Sequence, residues 1–231
     1  MSNIAEDFIR FYQGLPDRLD LPEGISLMNP YKEPGTERIV AAFLRKYYND
    51  GNPRIPMLGI NPGRFGAGVT GVTFTDPVRL EKECGIPNNF DKRQELSSVF
   101  IYDFIAAWGG AEAFYSRFFL SAVFPLGFTR EGRNLNYYDD PRLMGRLRDS
   151  LGEYLSEQLR LLGHPPAVVC LGGGKNLRTL RDLIERLRLN ADIIPLPHPR
   201  WVMQYRYKNR QEYIREYLEA ARISLRKAGY D

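Results

Sequence analysis

The chain has 231 residues, of which 43% are hydrophobic and 26% charged, and its formal net charge is +4. These proportions are ordinary for a globular protein, and a chain of this length can bury a full core without disulfides or a structural metal. No apolar run approaches the roughly 20 residues that a membrane helix needs. The mildly basic balance permits a nucleic-acid partner but does not require one.

Two cysteines, Cys84 and Cys170, lie far apart in the sequence. Cys170 belongs to an apolar run, which predicts a buried free thiol, whereas Cys84 falls in a predicted loop. The chain has no CxxC pair and no histidine–cysteine cluster, so we expect neither a metal site nor an iron–sulfur cluster. The N-terminal residues lack an apolar signal core, and we expect a cytoplasmic protein.

The predicted helices follow from apolar residues at helical spacing. The first covers residues 4–12, and the second covers 37–48 with Thr36 as its N-cap. Further helical patterns cover residues 98–108, 143–162, 177–189 and 211–227.

Between these helices lie four short apolar runs that predict buried strands, each followed by a loop rich in glycine or proline. They cover residues 54–60, 118–124, 167–171 and 193–196. Strands that alternate with helices predict an α/β protein whose parallel sheet is covered on both faces. Because ligands bind at the carboxyl ends of parallel strands, we expect these loops to share one site. We see no linker, and we expect one domain over residues 1–231.

The segment after the first strand carries the most distinctive pattern, with an asparagine at the strand end and several glycines. The glycines allow the backbone to approach a ligand closely, and Asn61, held by Pro62, can orient a water or read an amide edge. Phe65 and Phe74 are available for stacking. The alternative is a flexible surface loop with two phenylalanines in the core.

The turn Gly-Gly-Gly-Lys-Asn at residues 172–176 lacks the spacing of a phosphate-binding loop. It is better interpreted as a strand-to-helix turn with loose affinity for anions. Lys175 and Arg178 are therefore candidates for contacts with DNA phosphates.

The two histidines have different surroundings. His164 is predicted to lie in a surface loop, whereas His198 ends a strand between two prolines. Residues 199–210 contain four basic and no acidic residues, with Trp201, Tyr205 and Tyr207 between them. This mixture suits a surface that contacts a nucleic-acid backbone and stacks on bases, and the alternative is a solvated basic loop.

Several of these segments resemble the single-strand-selective monofunctional uracil-DNA glycosylases. Residues 59–63 and 70–74 are similar to the first active-site motif of that family, G-M-N-P-G-x-F-G followed by T-G-V-x-F. His198 and Pro199 resemble the start of its second motif, H-P-S-P-R. Further similarity covers residues 28–30, 125–126 and 132–135, so that the resemblance extends over nearly the whole chain.

The resemblance implies a three-layer α/β/α sandwich with a mainly parallel four-stranded sheet. It also implies a monomeric, monofunctional glycosylase that flips a deaminated base out of DNA and needs no metal or cofactor. Asn61 would position the attacking water, and His198 would donate a hydrogen bond to the base oxygen that becomes anionic. The residues expected to contact the base are Ile60, Gly63, Phe65, Phe74, Ser121 and Ala122.

Two departures from the family pattern affect specificity. Ala122 stands where the family has an asparagine that reads uracil, and this favours a relaxed or shifted specificity that includes xanthine or hypoxanthine. The Ser-Pro pair after the histidine is missing, so we expect Arg200, rather than Arg206, to fill the gap that the base leaves in DNA.

Two alternatives to an active glycosylase remain. The first is a catalytically weak member of the same superfamily that only binds nucleic acid, as Ala122 and the altered histidine loop would allow. The second is an α/β enzyme that binds a nucleotide or cofactor through its glycine-rich turns. Because a pure binder needs neither Asn61 nor His198, the sequence favours the glycosylase.

Overall fold

The computed structural model describes residues 3–230. These residues form seven strands: β1 (Ile25–Met28), β2 (Ile55–Gly59), β3 (Phe118–Ala122), β4 (Gly127–Arg130), β5 (Arg133–Leu135), β6 (Ala167–Leu171) and β7 (Asp192–Leu196). They also form eleven α-helices: α1 (Ile4–Gln13), α2 (Pro34–Tyr48), α3 (Ala67–Thr70), α4 (Pro77–Lys82), α5 (Leu96–Trp108), α6 (Ala111–Tyr115), α7 (Pro141–Arg146), α8 (Arg148–Leu161), α9 (Lys175–Arg186), α10 (Pro199–Tyr205) and α11 (Arg210–Ala228).

A parallel sheet with the strand order β3-β2-β6-β7 forms the centre of the molecule. All residues of β2, β3 and β6 are buried, which agrees with their unbroken apolar sequences. On one face Phe8 of α1 packs against Phe119 of β3, and elsewhere α11 packs against β6 and β7. The predicted α/β/α sandwich is confirmed.

The start of β2 is held by a buried cation. Arg54, fully buried, donates to the carbonyl oxygens of Tyr115 and Tyr47 at 2.8 and 2.9 Å and forms an ion pair with Asp50 at 2.6 Å. A charge in such a position must be paired and hydrogen-bonded, and each partner fixes another part of the chain. The strand that leads to Asn61 therefore begins from a rigid point.

Two details of the helices differ from the sequence-based expectations. Residues 143–162, expected as one helix, are divided between α7 and α8 by a turn at Leu147, and Leu143, Leu147 and Leu151 are all buried. Thr36 is not an N-cap, since α2 begins at Pro34 and the Thr36 hydroxyl donates to the Val69 carbonyl.

A second, antiparallel sheet with the order β1-β4-β5 was not predicted. Its strands have four, four and three residues, too few to show an alternating pattern. This sheet places residues 133–137 over the carboxyl end of β2, where they contact Asn61. None of the helices within residues 3–230 is long and apolar enough to cross a membrane.

Candidate active site

A cavity of about 600 Å³ opens at the carboxyl ends of β2 and β3, and we call it the main cavity. Asn61, Phe74, Ala122 and His198 all line it, although they come from four separate parts of the chain. The glycine-rich segment after β2 forms one wall, and the segment from His198 through α10 forms another. The ends of three of the four parallel strands thus meet at this cavity, whereas the loop after β6, expected to share the same site, does not line it.

The side chain of Asn61 is held in one orientation by the end of β5 and the residues that follow it. Its Oδ1 accepts a hydrogen bond from the backbone N–H of Tyr137 at 3.1 Å, and its Nδ2 donates to the carbonyl of Leu135 at 3.2 Å. The amide oxygen has two lone pairs, so one remains for a further donor. Asn61 therefore presents a fixed acceptor at the cavity wall, as a residue that orients a water must.

His198 is held as a neutral imidazole. It is the N-cap of α10, and its Nδ1 accepts the backbone N–H of Arg200 at 3.1 Å. The proton of the neutral ring is consequently on Nε2. Burial, together with the nearby charge of Arg200, lowers the pKa of His198 to about 4. At neutral pH the ring thus offers an N–H donor without a positive charge.

The floor of the main cavity depends on a close contact between Gly59 and Phe74. A β-carbon at position 59 would lie 2.7 Å from Cζ of Phe74, so only glycine leaves room for the ring. Phe74 has a φ of +56°, and its ring centre lies 5.8 Å from that of His198. Ala122, paired with Gly59 across β2 and β3, completes the floor. The result is a flat aromatic surface beside a hydrogen-bond donor.

Of the other four residues expected to contact a base, three line the main cavity and one does not. Ile60, Gly63 and Phe65 line the main cavity. The guanidinium carbons of Arg93 and Arg64 lie 3.5 and 4.3 Å from the centre of the Phe65 ring, so that ring is engaged by cations.

Ser121 lies outside this group. It is buried, and its hydroxyl donates to Oε1 of Gln158 in α8. Neighbouring residues of a strand point to opposite faces, and Ala122 is the one that lines the cavity. The side chain of Ser121 is therefore turned towards the core, and we leave it out of the base-binding set.

The basic residues expected to contact DNA occupy two places. Arg200 is exposed and lines the main cavity. Arg206 does not line it, and its guanidinium lies 5.2 Å from the centre of the Trp201 ring. Lys175 and Arg178 are exposed near the start of α9, where Nζ of Lys175 lies 5.9 Å from the Tyr138 ring centre.

Lys175 is adjacent to a second cavity of about 530 Å³, which we call the side cavity. Its lining includes Tyr138, Gly172 and Gly173, and it shares Ile60, His198 and Trp201 with the main cavity. The two cavities thus adjoin each other at His198.

Two features of the site were missed at the level of sequence. One is the clamp on Asn61 by Leu135 and Tyr137, although the segment 132–135 was noted as a match to the family. The other is Glu95, whose carboxyl lines the main cavity. No motif signals Glu95, because it stands alone before a helix.

Within residues 3–230, no group of three or more histidine, cysteine, aspartate or glutamate side chains is placed to hold a metal ion.

The comparisons with known proteins agree on one family. Residues 45–222 match the model of the uracil DNA glycosylase superfamily. The crystal structure of wild-type SMUG2 from Pedobacter heparinus is 43% identical in sequence, with a TM-score of 0.92, and the match covers 96% of this chain and 98% of that one. No curated protein sequence matches the chain.

Proposed function

Because the chain belongs to the uracil-DNA glycosylase superfamily, we propose that it is a monofunctional DNA glycosylase that removes deaminated bases, with Asn61 and His198 at its active centre. The observation that carries the proposal is the placement of a fixed acceptor, a neutral imidazole donor and an aromatic surface around one cavity. Its substrate is DNA that contains a damaged base, and it acts as a monomer.

His198 serves the departing base. When the bond between the sugar C1′ and the base nitrogen breaks, its electron pair leaves with the base, whose oxygen gains negative charge. The Nε2–H of His198 donates a hydrogen bond to that oxygen, and such a donor is worth about 3–4 kcal/mol at a developing oxyanion. A neutral imidazole suits this role because Nδ1 must stay free of a proton to accept the N–H of Arg200.

Asn61 serves the attacking water. The free lone pair of its Oδ1 accepts one water proton and aims the water oxygen at C1′, which carries positive charge as the base departs. The oxygen then bonds to C1′, and its proton is lost to solvent. An amide is too weak a base to remove a proton in advance, so the role of Asn61 is orientation.

The extruded base stacks on Phe74, over the glycine at position 59. Ala122 offers only a methyl group to the base edge, so no side-chain amide reads the base from that position. We therefore propose that the substrates include uracil and the deaminated purines hypoxanthine and xanthine. Arg200 lies at the cavity mouth, where it can fill the gap in the DNA.

The test uses oligonucleotides that carry uracil, hypoxanthine or xanthine, single- and double-stranded, followed by alkaline cleavage of abasic sites. We expect excision of at least one base, and a loss of about 100-fold or more in Asn61→Ala and His198→Ala. Matched controls are Asn52→Ala and His164→Asn, because both residues are exposed and lie outside the main cavity. His164 has a φ of +55°, which asparagine tolerates.

No cleavage of any substrate, together with tight, salt-dependent binding, would instead support a member that only binds nucleic acid. Excision that survives both active-site substitutions would disprove the assignment of Asn61 and His198.

A further inference from the structure

An acidic side chain lines the main cavity among several cations. Glu95 is the one aspartate or glutamate among the described residues that lines it, whereas Arg64, Arg133 and Arg200 line the same cavity. A carboxylate repels a polyanion such as DNA, so an acidic group is unfavourable here unless it has a specific role.

The glycine-rich segment after β2 is shaped to hold this carboxyl. A β-carbon at position 63 would lie 3.1 Å from Oε1 of Glu95, and one at position 66 would overlap Oε2. Both positions are glycine, and the carboxyl fills the space that their side chains would take. Glu95 therefore forms part of the cavity wall against Gly63 and Gly66, in the segment that follows Asn61.

The Glu95 carboxyl has no partner among the described residues. Its backbone N–H donates to Oδ2 of Asp76 at 3.0 Å, but its side-chain oxygens make no hydrogen bond or ion pair within residues 3–230. Buried polar groups are normally paired, and no fully buried side-chain oxygen or nitrogen of the described residues lacks a partner. The Glu95 oxygens thus face the cavity, where an incoming group can bind them.

Burial raises the pKa of Glu95 to about 7. Of the charged groups that face it, Arg200 lowers this pKa and the buried Asp76 raises it. Arg93, two residues before Glu95 in the chain, has its guanidinium over the ring of Phe65. At mildly acidic and neutral pH the carboxyl therefore carries a proton for a substantial part of the time, and it can then donate as well as accept.

Deamination changes one group on the edge of a base: an amino group, which donates, becomes a carbonyl, which accepts. A protonated carboxyl donates to such a carbonyl, whereas an ionised carboxylate can only accept. We propose that Glu95 is a specificity-determining residue that donates a hydrogen bond to the carbonyl oxygen that deamination has placed on the flipped base. It would supply the contact that Ala122 cannot make, and the inference rests on the proposed glycosylase function.

The role predicts a dependence on pH. Donation by Glu95 is available below its pKa and is lost as the pH rises through about 7. Excision of uracil, measured as kcat/KM, should then fall about tenfold per pH unit on the basic side. Glutamine at position 95 carries an N–H donor at every pH and should remove this decline.

The experiment measures kcat and KM between pH 5 and 9 on a single-stranded oligonucleotide with one uracil. The variants are Glu95→Gln and Glu95→Ala, and the control is Glu153→Gln on the exposed face of α8. We expect kcat/KM of Glu95→Gln for uracil excision to stay constant above pH 7. We expect Glu95→Ala to excise uracil about 10- to 100-fold more slowly at pH 6. Binding of an oligonucleotide without uracil should stay unchanged in both variants, which reports that they fold.

If the unaltered protein excises no base, the proposed function fails. If it excises uracil but Glu95→Ala keeps the same rates and the same decline above pH 7, only the role of Glu95 is disproved. If kcat/KM of Glu95→Gln still declines above pH 7, the role of Glu95 is also disproved. The group whose titration causes the decline must then be another residue.

Discussion

At the scale of single residues, the contact between Gly59 and Phe74 sets the position of the aromatic ring on which we propose that the base stacks. Phe74 is almost fully buried and has a positive φ, so its backbone has little freedom to move away. Position 59 must be glycine because the Phe74 ring lies directly against it. The backbone conformation does not itself require glycine, since Gly59 lies in β2.

We expect Gly59→Ala to push the Phe74 ring into the main cavity, because the new β-carbon would lie 2.7 and 3.0 Å from two ring carbons. Overpacking of this kind costs about 1–3 kcal/mol, and kcat/KM for base excision should fall more than tenfold. Gly51→Ala is the matched control, since a β-carbon there meets no atom within 4 Å. Thermal unfolding and excision rates of both variants check the prediction, and equal excision rates would contradict it.

The motifs indicated most of the residues that line the site, but they did not show what surrounds those residues. The sequence indicated Asn61 and His198, and the family match agrees with the motifs that contain them. The orientation of Ser121 and the isolated Glu95 could not be read, because each depends on which elements pack nearby. The roles of these residues remain predictions.

At the scale of elements, the position of His198 depends on α11, which follows it in the chain. The hydroxyl of Tyr217 in α11 donates to the carbonyl of Pro197, directly before the histidine. The Tyr217 ring is fully buried and packs against Phe100 and Phe104 of α5. Two helices thus hold the loop that carries the imidazole.

We expect Tyr217→Phe to lower kcat with little effect on KM, because it keeps the ring and removes the hydroxyl that fixes the histidine loop. The Pro197 carbonyl would lose its partner, which costs about 1–3 kcal/mol of stability. The control is Tyr48→Phe, another buried tyrosine, whose hydroxyl donates to the Phe118 carbonyl at the opposite end of the sheet. That variant should lose stability without losing kcat; similar kcat losses in both would point to a general effect of destabilisation.

The strands of the parallel sheet were predicted well, whereas the helix α10 was not. The four strands of the parallel sheet were located within two residues at each end, since continuous apolar runs mark buried strands. The helix α10 was expected only as a basic, aromatic loop, because a helix of seven residues has too few turns for a periodic signal.

At the scale of the whole molecule, the net charge of +4 hides an uneven distribution. Arg64, Arg133 and Arg200 line the main cavity, and Lys175 and Arg178 are exposed in the first turn of α9. Trp201, Tyr205 and Tyr207 are exposed in the same region. Cations with exposed aromatic rings suit the backbone and the bases of a nucleic acid.

We therefore expect the affinity for single-stranded DNA to fall steeply with salt. The slope of log affinity against log salt concentration should decrease in magnitude by about one in Arg200→Ala and in Lys175→Ala. The control is Arg222→Ala, an exposed arginine that pairs with Glu219 on α11. Binding isotherms between 50 and 300 mM salt, roughly the range in which phosphate contacts are resolved, check the prediction. A slope that does not change in any variant would mean that DNA lies elsewhere. The single domain and the monomeric state remain predictions at this scale.

The sequence by itself determined the class of fold and the family, because buried strands need unbroken apolar runs and because glycine, asparagine and histidine stand at fixed places after two of them. Only the tertiary structure decided how those residues are held. The clamp of residues 135 and 137 on Asn61, the hydroxyl of Tyr217 on the carbonyl of Pro197, and the carboxyl of Glu95 beside Gly63 all join segments far apart in the chain. Contacts of that kind arise from packing, which no local pattern records.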